Sequence, residues 1–277
     1  MPEMGSDDND DYEPPPFSPR QLGEMIIPFY KFLATLTFNP SHLRLPPESG
    51  WPDLTDEHCA HFKTPYALET LRHLPFWVSD ENDRQYYQAV ETTSLFINYL
   101  AFSTEEFGKF DTELYPVYQG YRTDDQDLVD EPDRSDCILL AQGNSNFGVD
   151  IVLDTRRGTI IENVIALDVS DHEIEDYFAA LREKFSSLQR IPSCGRGMET
   201  LDAHYIPETT RHITEQDVLN QQRQLWGTHL DLQFVRQVYR QFGWPDRFQK
   251  EEASAAMDKV LQKVDQARRG GWPSFFV

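Results

Sequence analysis

The pattern of apolar and polar positions in the middle of the chain predicts a β-hairpin followed by a helix. Residues 137–141 form an apolar run, and segment 149–164 alternates on both sides of a turn at 155–158. Residues 174–188 then carry apolar side chains at helical spacing. Alternation indicates a strand, and a repeat near 3.6 residues indicates a helix. We therefore predict an α+β fold in which an antiparallel sheet, including hairpin 149–164, packs on helices.

Capping signals predict helices on both sides of this region. Ser18 and Gln21 match a capping box, with Pro19 at the first helical position. Pro28 lies inside the same apolar pattern and predicts a kink or a division of this helix. Further capping residues predict helices over residues 55–62, 64–74 and 103–110, and residues 170–173 match a capping box for the helix that ends near residue 188.

The remaining segments define the expected domain organisation. Residues 1–17 are acidic and hold few apolar side chains to bury, so they predict a disordered tail. Residues 18–192 hold the predicted α+β domain. Residues 193–277 begin with a connecting loop and have a helical pattern beyond Thr214. We expect this helical C-terminal extension to pack on the same domain.

The net charge of −22 limits the partners that the chain can bind. Such a field repels the phosphates of nucleic acids and of anionic membranes, so we expect neither as a partner. A basic protein surface or a cationic ligand is compatible with it.

The cysteines and the distribution of apolar residues indicate the compartment. Three widely spaced cysteines, at positions 59, 137 and 194, argue against a disulfide framework and favour a reducing environment. The sequence shows neither a signal-peptide pattern nor an apolar run of about 20 residues. These features predict a soluble cytoplasmic protein.

Motifs for common cofactors are missing from the sequence. Residues 143–148 have the two-glycine spacing of a phosphate-binding loop, but Val149 follows where a lysine is needed. His58 and His61 lie one turn apart in a predicted helix, without a second pair of ligands, whereas a closed zinc site needs four. We therefore expect no cofactor and no metal.

The hairpin carries the candidate catalytic residues. Alternation places Asp150 and Asp154 on one face of its first strand. Arg157 lies in the turn beside a second arginine, and Glu162 lies on the returning strand. These groups are able to bind and polarise a small oxygenated ligand, with one carboxylate as a general base if burial raises its pKa. The alternative is an exposed hairpin whose cross-strand ion pairs add little stability.

The tripeptide Gly-Trp-Pro occurs three times, with its indole at Trp51, Trp244 and Trp272. The spacings are unequal, which argues against a solenoid repeat. We expect each turn to insert its indole against the core. The alternative is a tryptophan exposed for a protein partner.

The segments at 138–143, 147–154 and 158–161 follow the order of strand, glycine turn, "ivLD" strand, short turn and returning strand. A closing helix at 173–188 comes after them, and a helix with a Leu-Pro step at 66–75 comes before. In this order the middle half of the chain resembles the SUKH superfamily, which includes the yeast cell-wall assembly regulators. The resemblance implies an α+β interaction module, used in regulation in fungi and as immunity proteins in bacteria, and it supplies no catalytic residues.

Three functions of different classes follow from these features. The first is a cytoplasmic SUKH-like interaction or regulatory module that binds a protein partner. The second is a metal-independent biosynthetic enzyme, a cyclase or lactonising enzyme, that acts on a small polyketide-like substrate with the hairpin acids and arginines. The Gly-Trp-Pro-Asp segments also look like those of filamentous-fungal proteins, some of which act in polyketide biosynthesis. The third is a structural subunit of a larger assembly.

Overall fold

The computed structural model combines helices with antiparallel strands. It describes residues 14–78, 86–91, 94–113, 133–143, 148–164, 168–192, 200–221 and 226–268. The described helices are α1 (Pro19–Ala34), α2 (Pro65–Arg72), α3 (Thr104–Glu113), α4 (Ile174–Ser186), α5 (Glu215–Leu219), α6 (His229–Gln241) and α7 (Lys250–Arg268). The described strands are β1 (Leu43–Arg44), β2 (Phe76–Trp77), β3 (Tyr86–Glu91), β4 (Ser94–Ile97), β5 (Cys137–Gly143), β6 (Val149–Asp154), β7 (Thr159–Val164), β8 (Asp168–Glu173), β9 (Arg190–Pro192) and β10 (Thr200–Asp202). The predicted α+β class is confirmed.

A six-stranded antiparallel sheet forms the centre of the described structure. Its strands follow one another in chain order from β3 to β8, so each strand pairs with its sequence neighbour. The predicted hairpin 149–164 is confirmed as β6 and β7. In its turn Gly158 has a φ of 71°, a left-handed value that glycine adopts without a steric penalty.

Both faces of the sheet are buried at its centre. Cross-strand pairing places Leu153 and Ile160 on one face, and Val152 and Ile161 on the other. All four side chains are fully buried. The polar residues that alternate with apolar ones on β6 therefore enter a buried layer instead of the solvent.

Helices α1 and α4 pack together and against the sheet. Phe29 of α1 contacts Phe178 and Phe185 of α4, with ring centroids 5.2 and 6.3 Å apart. Tyr30 of α1 reaches Phe96 of β4, with ring centroids 4.8 Å apart. Aromatic pairs at such separations contribute about 0.5–1.5 kcal/mol each beyond their buried area. The rings that the helical spacing marks as core residues thus join the two helices to the sheet.

Helix α1 begins as predicted and continues through Pro28. Ser18 caps it in a capping box, which confirms the predicted start. Of the two predicted effects of Pro28, a kink or a division, the division is wrong, because α1 is one continuous helix. An internal proline costs about 3 kcal/mol through its lost hydrogen bond and its steric clash. Full burial of Ile26 and Leu33 on either side offsets this cost, since each such side chain contributes about 1.5–3 kcal/mol.

Residues 170–173 belong to strand β8, and the prediction of a helix-capping box there is wrong. β8 pairs with β7 along its whole length, and α4 begins only at Ile174. Glu173 occupies the N-cap position without a side-chain capping bond. The ladder outweighs the capping preference because it satisfies several backbone groups, whereas a capping box satisfies two.

Turns replace the helix that the sequence predicts over residues 55–62. The side chain of Thr55 accepts a hydrogen bond from the amide of His58, as a helix cap does. Ala60 and His61 then have φ values of 53° and 55°, and this left-handed backbone cannot continue a right-handed helix. His58 and His61 therefore do not lie one helical turn apart.

The ends of the predicted α+β domain are partly described. Residues 1–13 of the predicted tail lie outside the described residues, and Phe17 is half-buried against the core. The hydroxyl of Tyr66 donates a hydrogen bond to the carbonyl of Phe17. Part of the loop predicted after residue 192 is strand β10, which pairs with β9, and residues 193–199 between them lie outside the description.

Two side chains cover the C-terminal end of α4, one from α6 and one from the turn that follows α6. The last carbonyl groups of a helix lack partners within the helix. The indole of Trp244 donates to the carbonyl of Phe185 at 2.9 Å, and the guanidinium of Arg240 donates to that of Ser186 at 3.0 Å. A cation at this end also matches the helix dipole.

Arg236 of α6 extends the same contact to the segment that follows α4. Its guanidinium donates to the carbonyls of Leu188 at 3.0 Å, Ala203 at 2.8 Å and Ile206 at 2.6 Å. The side chain is 2% exposed, and burial lowers its pKa. A buried cation is tolerated here because carbonyl oxygens accept hydrogen bonds from its N–H groups.

We expect Arg236→Met to lower the free energy of unfolding by at least about 3 kcal/mol, because three buried carbonyls lose their donor. Methionine keeps the apolar stem, so lost packing contributes little. Urea denaturation followed by circular dichroism measures the change. Arg247→Met is the matched control, since Arg247 is exposed, and its effect should stay within about 0.5 kcal/mol. Equal stability of the two variants would contradict the assigned role.

Candidate functional site

The structure does not bring the four predicted catalytic residues into one site. Asp150 and Asp154 share a face of β6, as predicted, but they are four residue steps apart along the strand, a distance of about 13 Å. Glu162 pairs directly with Ile151 and therefore lies on the opposite face of the sheet. Arg157 lies in the turn between β6 and β7. These residues therefore do not form a site in which an acid and a base act together on one small substrate.

Asp150 is a buried carboxyl with one described hydrogen bond. Its side chain is 2% exposed, and its Oδ1 accepts from the backbone N–H of Gly143 at 2.8 Å. Burial raises its pKa to about 6, although the bond from Gly143 acts in the opposite direction. The predicted exposed polar face of the hairpin is thus absent at this position.

Asp154 closes the turn of the hairpin. Its Oδ1 accepts from the backbone N–H groups of Arg156 and Arg157 at 2.9 and 3.0 Å. The Nε of Arg157 lies 3.8 Å from Oδ2. Burial raises the pKa of Asp154 although these groups favour its charged form. These contacts give Asp154 a structural role in the turn, of the kind that aspartate side chains have in many turns.

An opening lined by described residues lies between β8 and α4, and we call it the β8–α4 groove. Its volume is about 530 Å³. Strand β8 forms one wall and α4 the other. Its lining residues are Glu162, Ser170, Asp171, His172, Glu173, Asp176, Tyr177, Ala180, Leu181 and Lys184.

The β8–α4 groove combines negative charge with an apolar base. Four of its lining residues are acids and one is a lysine. Tyr177 and Leu181 are buried and supply the apolar part. His172 lies beside them, with its ring 5.6 Å from that of Tyr177 and its Nε2 2.9 Å from the hydroxyl of Ser170. This arrangement suits a ligand with positive charges on apolar stems and disfavours an anion.

Among the residues that line the groove, sequence patterns predict a catalytic role for Glu162 alone. They place residues 170–173 in a helix cap and give Asp176 no functional role. No apolar alternation marks β8, since Val169 is its only apolar residue. The one available signal was the density of acids in residues 168–176, which charge patterning alone does not separate from a solvated surface.

The tryptophan turns do not present exposed indoles in the described residues. Trp244 is buried, and its indole bonds to the carbonyl of Phe185. Trp51 is half-buried and donates to the carbonyl of Leu74 at 2.8 Å. These two positions match the expectation of an indole inserted against the core, and Trp272 lies outside the described residues.

The described cysteines are buried thiols, and His58 contacts a backbone carbonyl. Burial raises the pKa of the Cys59 thiol to about 12 and also raises that of Cys137. Cys194 lies outside the described residues. His58 contacts the carbonyl of Phe102 at 3.1 Å. Among the described residues, no group of three or more His, Cys, Asp or Glu side chains is placed to hold a metal ion.

Comparison with protein-family models, curated proteins and solved structures found no match to this chain. Within the described residues, no helix is long and apolar enough to cross a membrane.

We expect Asp154→Ala to lower the free energy of unfolding by about 2 kcal/mol, because two turn amides lose their acceptor. Asp154→Asn keeps an acceptor oxygen and should stay within about 1 kcal/mol of the original protein. Thermal or urea unfolding at pH 7 measures both. A similar loss in the two variants would show that the charge of Asp154, and not its acceptor oxygen, stabilises the turn.

The raised pKa of Asp150 leads us to expect a pH-dependent difference in stability between the original protein and the variant Asp150→Asn. Because its pKa is higher in the folded state than its ordinary value of 3.8, protonation favours the fold, and this contribution is lost as the pH rises to about 6. Asp150→Asn has no such titration. We expect it to be more stable than the original protein by about 3 kcal/mol at pH 8, with little difference at pH 4. Urea unfolding at both pH values measures this, and a pH-independent difference would contradict it.

Proposed function

We propose that the chain is a SUKH-like protein-interaction module whose β8–α4 groove binds a basic segment of a partner protein. The observation that carries the proposal is the groove itself, with four carboxylates around an apolar base. The order of strands β5 to β7 and of helix α4 supports the choice of module, because the resemblance rests on the same elements in the same order, with strand β8 as an addition between β7 and α4.

The charges of the groove suit lysine and arginine side chains. Asp171, Glu173 and Asp176 are exposed, so a partner's cations reach them without a large desolvation cost. The exposed Ala180 and the accessible edge of Tyr177 give the groove an apolar surface for the aliphatic parts of such a segment. The net charge of −22 attracts a basic partner over a longer range and speeds its association.

An octapeptide of alternating lysine and valine, with blocked ends and a fluorescent label, is a suitable probe. We expect Asp171→Lys to weaken its binding at least about tenfold at low salt, because an attraction becomes a repulsion at close range. Fluorescence anisotropy measures the dissociation constant. Asp53→Lys is the matched control, because Asp53 is an exposed acid outside the groove and the change in net charge is the same.

The control separates the groove from the overall field of the protein. Less than twofold weakening by Asp53→Lys, together with the tenfold effect at Asp171, supports the proposal. Equal weakening by both variants would show that only net charge attracts the peptide. Equal binding of a glutamate–valine octapeptide would overturn the proposal, because the groove would then not select cations.

A small-molecule enzyme is the second candidate, and the raised pKa of Asp150 favours it. A buried carboxyl with a pKa of about 6 is suited to general base catalysis near neutral pH. In this case Asp150 acts without Asp154, whose acceptor oxygen is occupied by the turn amides. The two candidates differ in what the protein retains in native mass spectrometry, a small organic molecule for the enzyme and a basic protein for the module.

A further inference from the structure

Strand β8 is an edge of the sheet within the described residues. It follows β7 in the strand order and pairs with it at every position, and no described strand pairs with its other side. In an antiparallel pair every second residue directs its N–H and C=O groups away from the partner strand. β8 therefore presents a row of backbone donors and acceptors on the side away from β7.

The β8–α4 groove reaches this edge. Ser170, Asp171, His172 and Glu173 are consecutive, and all four line it. Successive side chains of a strand point to opposite faces of the sheet. Pairing with β7 places Ser170 and His172 on the face of the sheet that carries Glu162, and Asp171 and Glu173 on the opposite face. Residues of both faces line one groove only if it extends around the border of the strand, where the backbone edge lies.

The charges of β8 favour one kind of added strand. A second copy of β8 would bring acids close to acids, because Asp171 and Glu173 are both exposed. Like charges on neighbouring strands are destabilising, and edge charges of this kind prevent pairing between copies of a protein. The same carboxylates attract a strand with lysine or arginine at alternate positions, which is how a specific interface rejects one partner and accepts another.

We infer that the basic partner segment binds as an added β-strand on the free edge of β8, with its alternate cationic side chains on the face of the strand that carries Asp171 and Glu173. Backbone hydrogen bonds to β8 supply affinity, and the carboxylates select the cations. An eight-residue extended segment spans about 27 Å and so exceeds the roughly 20 Å of the six-residue β8. This inference rests on the proposed function and adds the mode of binding.

The test uses the lysine–valine octapeptide with backbone N-methyl groups in two alternative sets. One peptide is methylated at the lysine nitrogens and the other at the valine nitrogens. Only one set of N–H groups faces β8 in an added strand, and methylation removes the donor and blocks the close approach of the two backbones. We expect one methylated peptide to bind at least about tenfold more weakly and the other within about threefold of the unmethylated peptide.

The possible results separate the binding mode from the proposed function. A difference of at least tenfold between the methylated peptides, abolished by Asp171→Lys, supports strand addition. Equal binding of the two methylated peptides overturns strand addition, and the proposed function stands if the unmethylated peptide still requires Asp171. No binding of the unmethylated peptide overturns both. Asp53→Lys again serves as the control, since it leaves β8 unchanged.

Discussion

The need to satisfy the C-terminal carbonyls of α4 determines how the C-terminal helices join the rest of the described structure. Trp244 and Arg240 donate to the last carbonyls of α4, and Arg236 donates to the segment that follows. These donors come from α6 and the turn after it, so α6 is held against the end of α4. Removal of such donors leaves buried acceptors without partners, which costs more than a lost surface contact.

Placement of α4 in turn creates the groove on which the functional proposal rests. Rings of α4 pack on Phe29 of α1 and hold the helix along the sheet beside β8. The helix face toward β8 supplies the apolar base, and β8 supplies two of the four acids. A negative opening beside a strand edge is suited to a basic extended segment, because backbone and side-chain interactions then act together.

In the hairpin, alternation predicts the faces of the strand correctly but does not predict the chemical environment of its acids. Alternation correctly placed Asp150 and Asp154 on one face of β6, but both lie in a buried layer. Burial raises both pKa values, yet Asp154 serves the turn and Asp150 accepts from Gly143. Glu162 lies on the other face, where it lines the groove. Strand geometry therefore distributes the predicted cluster between different environments.

Local patterns are enough to predict the α+β class, the hairpin 149–164 and the capped start at Ser18, because period-two spacing, helical spacing and capping act within a few residues. Contacts between distant elements place residues 170–173 in β8, bury both faces of the sheet and bring Arg236 into the core. Each of these outcomes depends on partners far along the chain, such as the carbonyls of Leu188 and Ile206 for Arg236. Local patterns carry no information about such partners, since their cost and benefit arise only when the elements pack.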